Sequence, residues 1–330
     1  MDKENDKVIK AYKGFNQDFK CRDMQYEVGK KYEHDGNIKC CDSGFHACEN
    51  PLDVLDYYNL TDSRFAEVEL SGDIDKDDKN KDTKLCASKI AVKAELKLAD
   101  FIELSVEYLK ELVRPKPKNE DEDSSGYGSQ LASSGYGSPL ASSGDRSQLA
   151  SSGDRSQLAS SGDGSQLASS GYGSQLASSG YGSQLASSGD RSKLASSGDY
   201  SQLASSGDYS QLASSGDYSK LASSGDYSQL ASSGYGSQLA SSGDYSKLAS
   251  SGDYSQLASS GDRSVVMNAG VGGIAKAKKG SWITLAEWDY GKGNCYLVPV
   301  CVKTVQVDGE IIKEDTWYRL TDGEFEEVAE

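Results

Sequence analysis

One apolar position recurs through the middle of the chain with a period of nine. The unit is S-S-G-[DY]-[YRG]-S-[QK]-L-A, and sixteen units run without insertion or deletion from Ser124 to Met267. Fifteen carry leucine at the eighth place: Leu131, Leu140, Leu149, Leu158, Leu167, Leu176, Leu185, Leu194, Leu203, Leu212, Leu221, Leu230, Leu239, Leu248 and Leu257; the sixteenth has Val266. On a helix nine residues turn through about 900°, which throws successive leucines onto opposite faces. Ser, Gly and Asp are also poor helix formers. In an extended chain Ser129 and Leu131 share one face and Gln130 takes the other. Ser-Ser-Gly-Asp then supplies a corner, with the glycine free to take positive φ. A short strand and a corner, repeated, predict a parallel β-solenoid whose core is the leucine column. Burying one leucine does not offset ordering nine backbones, so a unit folds only on its neighbours and the ends need caps. The strict length sets this reading against a disordered low-complexity linker.

Two or three units are needed to close one coil. Lysine replaces glutamine only at Lys193, Lys220 and Lys247. A 27-residue coil would stack these ammoniums about 4.8 Å apart, where like charges repel. An 18-residue coil places neighbouring lysines on opposite faces. Eighteen is therefore the expected coil, and eight coils make a rod of roughly 35–40 Å. Pro139 falls in the first coil, where a missing N–H is tolerated.

The flanks have other periods. Val8–Tyr12, Phe65–Leu70 and Ile90–Leu96 read as strands, Pro51–Tyr58 as a short helix, and Phe101–Val113 as an amphipathic helix stopped by Arg114-Pro115. After the repeats, Val265–Lys279 resembles a decaying last coil. Trp282–Trp288 reads as a strand whose Trp282 and Trp288 cover the open end, and Asp308-Gly309 marks a hairpin turn. The organisation expected is mainly β: an N-terminal α+β domain (1–113), an acidic, proline-containing linker (114–123), the solenoid (124–267) and a C-terminal β-rich cap (268–330).

Composition narrows the function classes. Asp+Glu 51 against Lys+Arg 35 gives a net charge of −16, which offers no electrostatic footprint for nucleic acid or anionic lipid. No run of about 18 apolar residues occurs, and the first residues lack an apolar signal core. The expected location is the cytoplasm of a host cell, or a virion, without Sec export.

Candidate chemistry lies in the flanks. The seven cysteines include no C-x-x-C pair. Cys40, Cys41, His46 and Cys48 cluster as potential zinc ligands, but a second ligand pair at the usual spacing is missing, so buried thiols and no metal or other cofactor are expected. His34 reads as a solvated turn residue, while His46, between a glycine turn and a helix start, is the better acid or base. A calcium ladder of the nonapeptide type needs an oxygen ligand in every turn; aligned on Leu131 it would put Ser129 at the Asp place, the double glycine is absent, and five units carry Tyr instead of Asp (Tyr127, Tyr136, Tyr172, Tyr181 and Tyr235).

The Gly-Tyr-Gly-Ser-x-Leu stretches at 126–131, 171–176, 180–185 and 234–239 resemble the bacterial ice-nucleation proteins, which implies a two-layered parallel solenoid with stacked Ser and Tyr ladders. Ice binding in that family rests on Thr-x-Thr rows, and these repeats contain no threonine. The flank motifs Ala11–Phe15, Tyr26–Lys30, Gly44–Asp53, Gly280–Glu287, Val307–Gly309 and Lys313–Tyr318 resemble uncharacterised phage and prophage proteins. The order strand, Gly-Phe-His, strand also resembles ADP-ribosyltransferase-like folds, which would give Lys13, His46 and Glu69 catalytic roles, although the family's Arg or His on the first strand is not matched.

Sixteen near-identical units supply a regular surface and no catalytic group. A structural or interaction protein is therefore expected, self-associating or binding another protein through the solenoid face. Its candidate interface is Tyr200, Tyr209, Tyr218, Tyr227, Tyr245 and Tyr254, since tyrosine is rigid and amphipathic. The alternative is an ADP-ribosyltransferase-like enzyme domain carried on a solenoid spacer.

Overall fold

The computed structural model describes residues 8–40, 42–76, 82–112, 126–290 and 296–328. The linker expected at 114–123 lies outside the described residues, as do Cys41, Cys295 and Val113. The chain divides into two compact units, Met1–Tyr108 and Leu109–Glu330.

The first unit is a curved antiparallel sheet. Its strands are β1 (Ile9–Phe15), the two-residue pair β2 (Lys20–Cys21) and β3 (Met24–Gln25), β4 (Lys31–Glu33), β5 (Phe45–Cys48), β6 (Arg64–Lys76) and β7 (Lys84–Leu96). The order is β4-β7-β5-β1-β6, and β6 pairs with β7 again, so the sheet closes on itself. Ala11, Phe15, Phe45, Val68, Leu85 and Ile90 fill its interior. The helical turn expected at Pro51–Tyr58 is a single 3-10 helix, Leu52–Asp56. The amphipathic helix is α1, Leu98–Leu112; it starts three residues earlier than its apolar pattern and stacks Phe101 on Phe65 at 4.4 Å. One contact in this sheet is sparse: β1 pairs with β6 along its whole length but with β5 only at Tyr12↔Cys48. Beyond that pair the two strands part.

The second unit is a parallel β-solenoid of about nine turns with coils of about 18 residues. Each coil lays one four-residue strand in each of two sheets. One sheet runs from Gln130–Ser133 to Ile274–Ala277, the other from Pro139–Ser142 to Val265–Asn268. Register is by identity at eighteen residues: Leu149 lies on Leu167 and Leu158 on Leu176. Lys193 and Lys247 sit in one sheet and Lys220 in the other, each between glutamines on the strands before and after where those are glutamine, so no two ammoniums adjoin. From Leu149 to Leu257 the leucines are buried; Leu131 and Leu140, in the first coil, are only partly so. Pro139 opens the outermost strand of its sheet.

The serines explain why the unit tolerates no slip. In the coil around Gly153, the Gly153 N–H donates to Ser151 Oγ, Ser151 donates to Ser156 Oγ at 2.6 Å, and Ser156 donates to the Gly153 carbonyl at 2.7 Å. Both hydroxyls donate and accept, so polar groups buried at the corner are paired without water. The same circuit recurs around Gly198 and Gly252.

The glycine of Ser-Ser-Gly plays a different part from the one expected. Positive φ falls two residues later, on Gly in some units and on Arg146, Tyr209 or Tyr227 in others, near +56°. The Ser-Ser-Gly glycine stays outside that region. It is required because a Cβ on Gly225 would overlap the carbonyl oxygen of Gly207 in the coil before. At the next corner position the aspartates form a ladder, Asp226 N–H donating to Asp208 Oδ1 at 2.9 Å and Asp244 to Asp226 at 2.8 Å.

The solenoid outlasts the repeat. Ile274–Ala277 continues one sheet, and Trp282–Leu285 pairs in parallel with Val265–Asn268 to continue the other, so the boundary expected at Met267 falls too early. Of the two tryptophans expected to cover the open end, Trp282 is 45% exposed and Trp288 is half-buried, its Nε1 donating to the Ala269 carbonyl. Ile283, Leu285, Val307, Ile312, Tyr318 and Leu320 join the leucine column instead. Asp308-Gly309 is not a hairpin turn. Asp308 Oδ1 accepts the N–H groups of Glu310, Ile311 and Ile312, and the strands before and after, Leu297–Gln306 and Tyr318–Thr321, belong to different sheets. The Asp-Gly hairpin is the later copy, Asp322-Gly323, joining Tyr318–Thr321 to Glu324–Glu327 with both residues at positive φ. Among the described residues no helix is long and apolar enough to cross a membrane.

Candidate functional sites

The first unit carries a cleft and a cysteine–histidine cluster, and the second carries aromatic edges. In the first, the parting of β1 from β5 opens a cleft of about 700 Å³ lined by Lys13, Cys21, Arg22, Tyr26, His46, Tyr58 and Lys84, among others. Gly14 on β1 is required there, since a Cβ would run into the Tyr58 ring. Lys13 is buried, and its Nζ bridges the gap by donating to the His46 carbonyl at 2.9 Å. Burial is the main cause that pushes its pKa down, so the amine is easier to deprotonate than a surface lysine. The Cys21 thiol and Tyr58 hydroxyl are 3.1 Å apart, and burial raises the Tyr58 pKa. His46 is held down to about 4 by burial and by Lys13, Lys84 and Arg22, which keeps its imidazole neutral near pH 7.

Lys13 and His46 therefore meet in this cleft, and Glu69 does not join them. Lys13 pairs with Ala66 and Lys10 with Glu69 along β1–β6, so Glu69 stands on the opposite face of the sheet from Lys13. Its carboxylate is ion-paired with Lys93 at 3.1 Å. His34 also lines the cleft, edge-on to Phe45.

Beside the cleft lies a second cluster. His46 on β5 is directly opposite Cys86 on β7, and Cys40 joins them from the tight turn closed by Lys39 and Ser43. The ligand atoms of Cys40, His46 and Cys86 all lie within 4.8 Å of one another. Burial raises the Cys86 thiol to about 12, with Cys40 and Asp75 adding to the shift. Cys48, grouped with His46 by sequence spacing, is not part of this cluster. Cys86 is 40 residues from His46 and carries no local signal; only the β5–β7 register reveals it.

In the solenoid the tyrosines form two aromatic edges. On one, Tyr209, Tyr227 and Tyr245 stack ring over ring at 4.9 Å with interplanar angles of 4° and 2°. Arg191 lies over Tyr209 at 5.6 Å and Arg263 over Tyr245 at 5.5 Å, so guanidinium groups bracket the three phenols. On the other edge Tyr181, Tyr200, Tyr218, Tyr235 and Tyr254 succeed one another at 5.2–5.5 Å with varied tilt. Tyr181 and Tyr235 come from the fourth place of units that have glycine at the fifth, whereas Tyr200, Tyr218 and Tyr254 come from the fifth. Either place delivers a ring to the same column, a compensation invisible without the coil geometry. Tyr200, Tyr209, Tyr218, Tyr227, Tyr245 and Tyr254 all remain exposed.

Residues 9–104 match the model of a family described as a domain of unknown function, DUF7666. No curated protein and no solved structure matches the chain.

Proposed function

We propose that this is an interaction protein whose solenoid is a rigid scaffold for self-association, with the edge carrying Tyr209, Tyr227 and Tyr245 as its contact surface. The observation that supports this most is the stack of three near-parallel phenol rings that remain 51%, 44% and 37% exposed. Rings already held by their neighbours lose little freedom on binding, so the cost of ordering an interface is low. The aspartate ladder beside them, with the net negative charge, opposes indiscriminate sticking and favours a discrete contact.

The Ser and Tyr ladders support the resemblance of the repeat to the ice-nucleation type, but ice binding is set aside because the outward strand places hold Gln, Lys and Ala rather than Thr rows. The flank motifs support a phage or prophage origin; tail or capsid genes beside this one would strengthen that reading, and a housekeeping operon would count against it. An ADP-ribosyltransferase role loses support because Glu69 faces away from Lys13 and His46.

Replacing Tyr209, Tyr227 and Tyr245 together with serine is expected to lower the sedimentation mass to that of one chain while the far-UV β signal persists. A wild-type chain that sediments as a monomer at every concentration tested would reject self-association, and would leave the stack as a device that stiffens the corner.

A further inference from the structure

We propose that Cys40, His46 and Cys86 form a zinc site in the first unit, with the fourth coordination place left to water. Zinc bonds of about 2.3 Å to sulfur and about 2.0–2.1 Å to nitrogen put tetrahedral ligand atoms roughly 3.4–3.8 Å apart. The three atoms here lie within 4.8 Å, so closing on an ion takes side-chain movements of about 1 Å or less, with no change in the strands.

The ligands are held by independent pieces of backbone. His46 and Cys86 are a directly opposed pair on adjacent strands, which fixes both side chains on one face. Cys40 sits in the Lys39–Ser43 turn, and its N–H donates to Asp75 Oδ2 at 2.8 Å. Asp75 is itself the β6 partner of Cys86. His46, Cys86 and Asp75 thus lie side by side across three strands, with Asp75 as a positioning residue for the cysteine turn. Two thiolates and a neutral imidazole bind a divalent ion with no net charge left over, which suits a site near Lys13, Lys84 and Arg22. Binding releases the two thiol protons to solvent, so apparent affinity rises with pH.

The test is a cobalt(II) titration of the reduced, chelator-treated full-length chain, followed by displacement with zinc. One equivalent of cobalt should give a sulfur-to-metal charge-transfer band and intense four-coordinate d–d bands, and zinc should abolish both. Cys86→Ser should remove the charge-transfer band or weaken binding at least ~10-fold, and Asp75→Asn should weaken it ~10–100-fold with the bands kept. Cys48→Ser, outside the cluster, should leave the titration unchanged. Alkylation of the wild type gives a readout independent of whether any variant folds: zinc should protect Cys40 and Cys86 and leave Cys21 reactive. The proposal fails if cobalt gives no charge-transfer band, if folded Cys86→Ser keeps both the full band and the wild-type affinity, or if zinc leaves Cys40 and Cys86 as reactive as before. Recovery of a Cys40–Cys86 disulfide that persists under mild reductant would also overturn it.

Discussion

Gly225→Ala is expected to destabilise the solenoid by more than about 3 kcal/mol, an unusually large effect for adding one methyl group. The added Cβ would overlap the Gly207 carbonyl oxygen and sit against the Asp208 nitrogen, both backbone atoms of the preceding coil. Neither can move without breaking the ladder: the Asp226 N–H donates to the Asp208 carboxylate and Tyr209 N–H to the Asp226 carbonyl at this corner. Relief requires separating two coils, and separation costs the bonds on both sheets. Gly182→Ala is the informative contrast. Gly182 has φ +62° with nothing near its missing Cβ, so alanine there meets only the ordinary left-handed penalty of about 1–2 kcal/mol. Other units already accept Tyr or Arg at the equivalent place. Urea unfolding of both full-length variants, followed by far-UV circular dichroism, measures the difference. Equal effects would mean that local conformation, rather than coil spacing, selects the Ser-Ser-Gly glycine.

The second large effect is expected inside the column. Leu203→Ala should cost about 2–5 kcal/mol, the range for deleting a buried leucine whose surroundings relax only in part. Relaxation is limited here because Leu203 lies between Leu185 and Leu221 in rigid register, and each coil contributes only one leucine per sheet. Nothing larger is available to slide into the space. Leu131→Ala, at the partly open first coil, should cost about 1 kcal/mol or less, since less surface is buried there to begin with. Hydrogen exchange gives the spatial signature: amides of the coils next to Leu203 should lose protection together, as neighbour-coupled repeats do, whereas Leu131→Ala should affect only the first coil. A similar cost at both positions would contradict a core that deepens away from the end.

These two positions also show where the sequence speaks and where it is silent. The nine-residue period, the leucine column and the lysine spacing determine an 18-residue coil, because strand alternation and like-charge repulsion act at short range and are written locally. The role of the Ser-Ser-Gly glycine is not written locally. Its constraint comes from a carbonyl eighteen residues away, so a turn-based reading assigns it a dihedral role that belongs to Gly182, Tyr209 and their equivalents. Asp308-Gly309 misleads for a related reason: the dipeptide favours a turn, but only pairing of the flanking strands makes a hairpin, and that pairing occurs around Asp322-Gly323. Within the first unit, Lys13 and His46 stand out from their strand and turn contexts, while Cys86 lies in an apolar run with nothing to distinguish it. The order of elements along the chain brings Glu69 forward but carries no information on the face it occupies.

Register by identity has a consequence for how this chain can change length. Because any coil fits any other, gain or loss of whole units leaves every internal contact available, and copy number becomes a variable that drift can explore. Parity limits that freedom. Removing two units shortens the stack by one rung of about 4.8 Å and returns each downstream ring to its own edge. Removing one turns everything beyond it through half a coil, sending Tyr227 and Tyr245 to the edge now held by Tyr218 and Tyr254 and bringing Ile283 to the wrong sheet for the cap. Viable length variants should therefore differ by eighteen residues, so that the corner carrying the bracketed phenols acts as a fixed phase mark along a rod of adjustable extent.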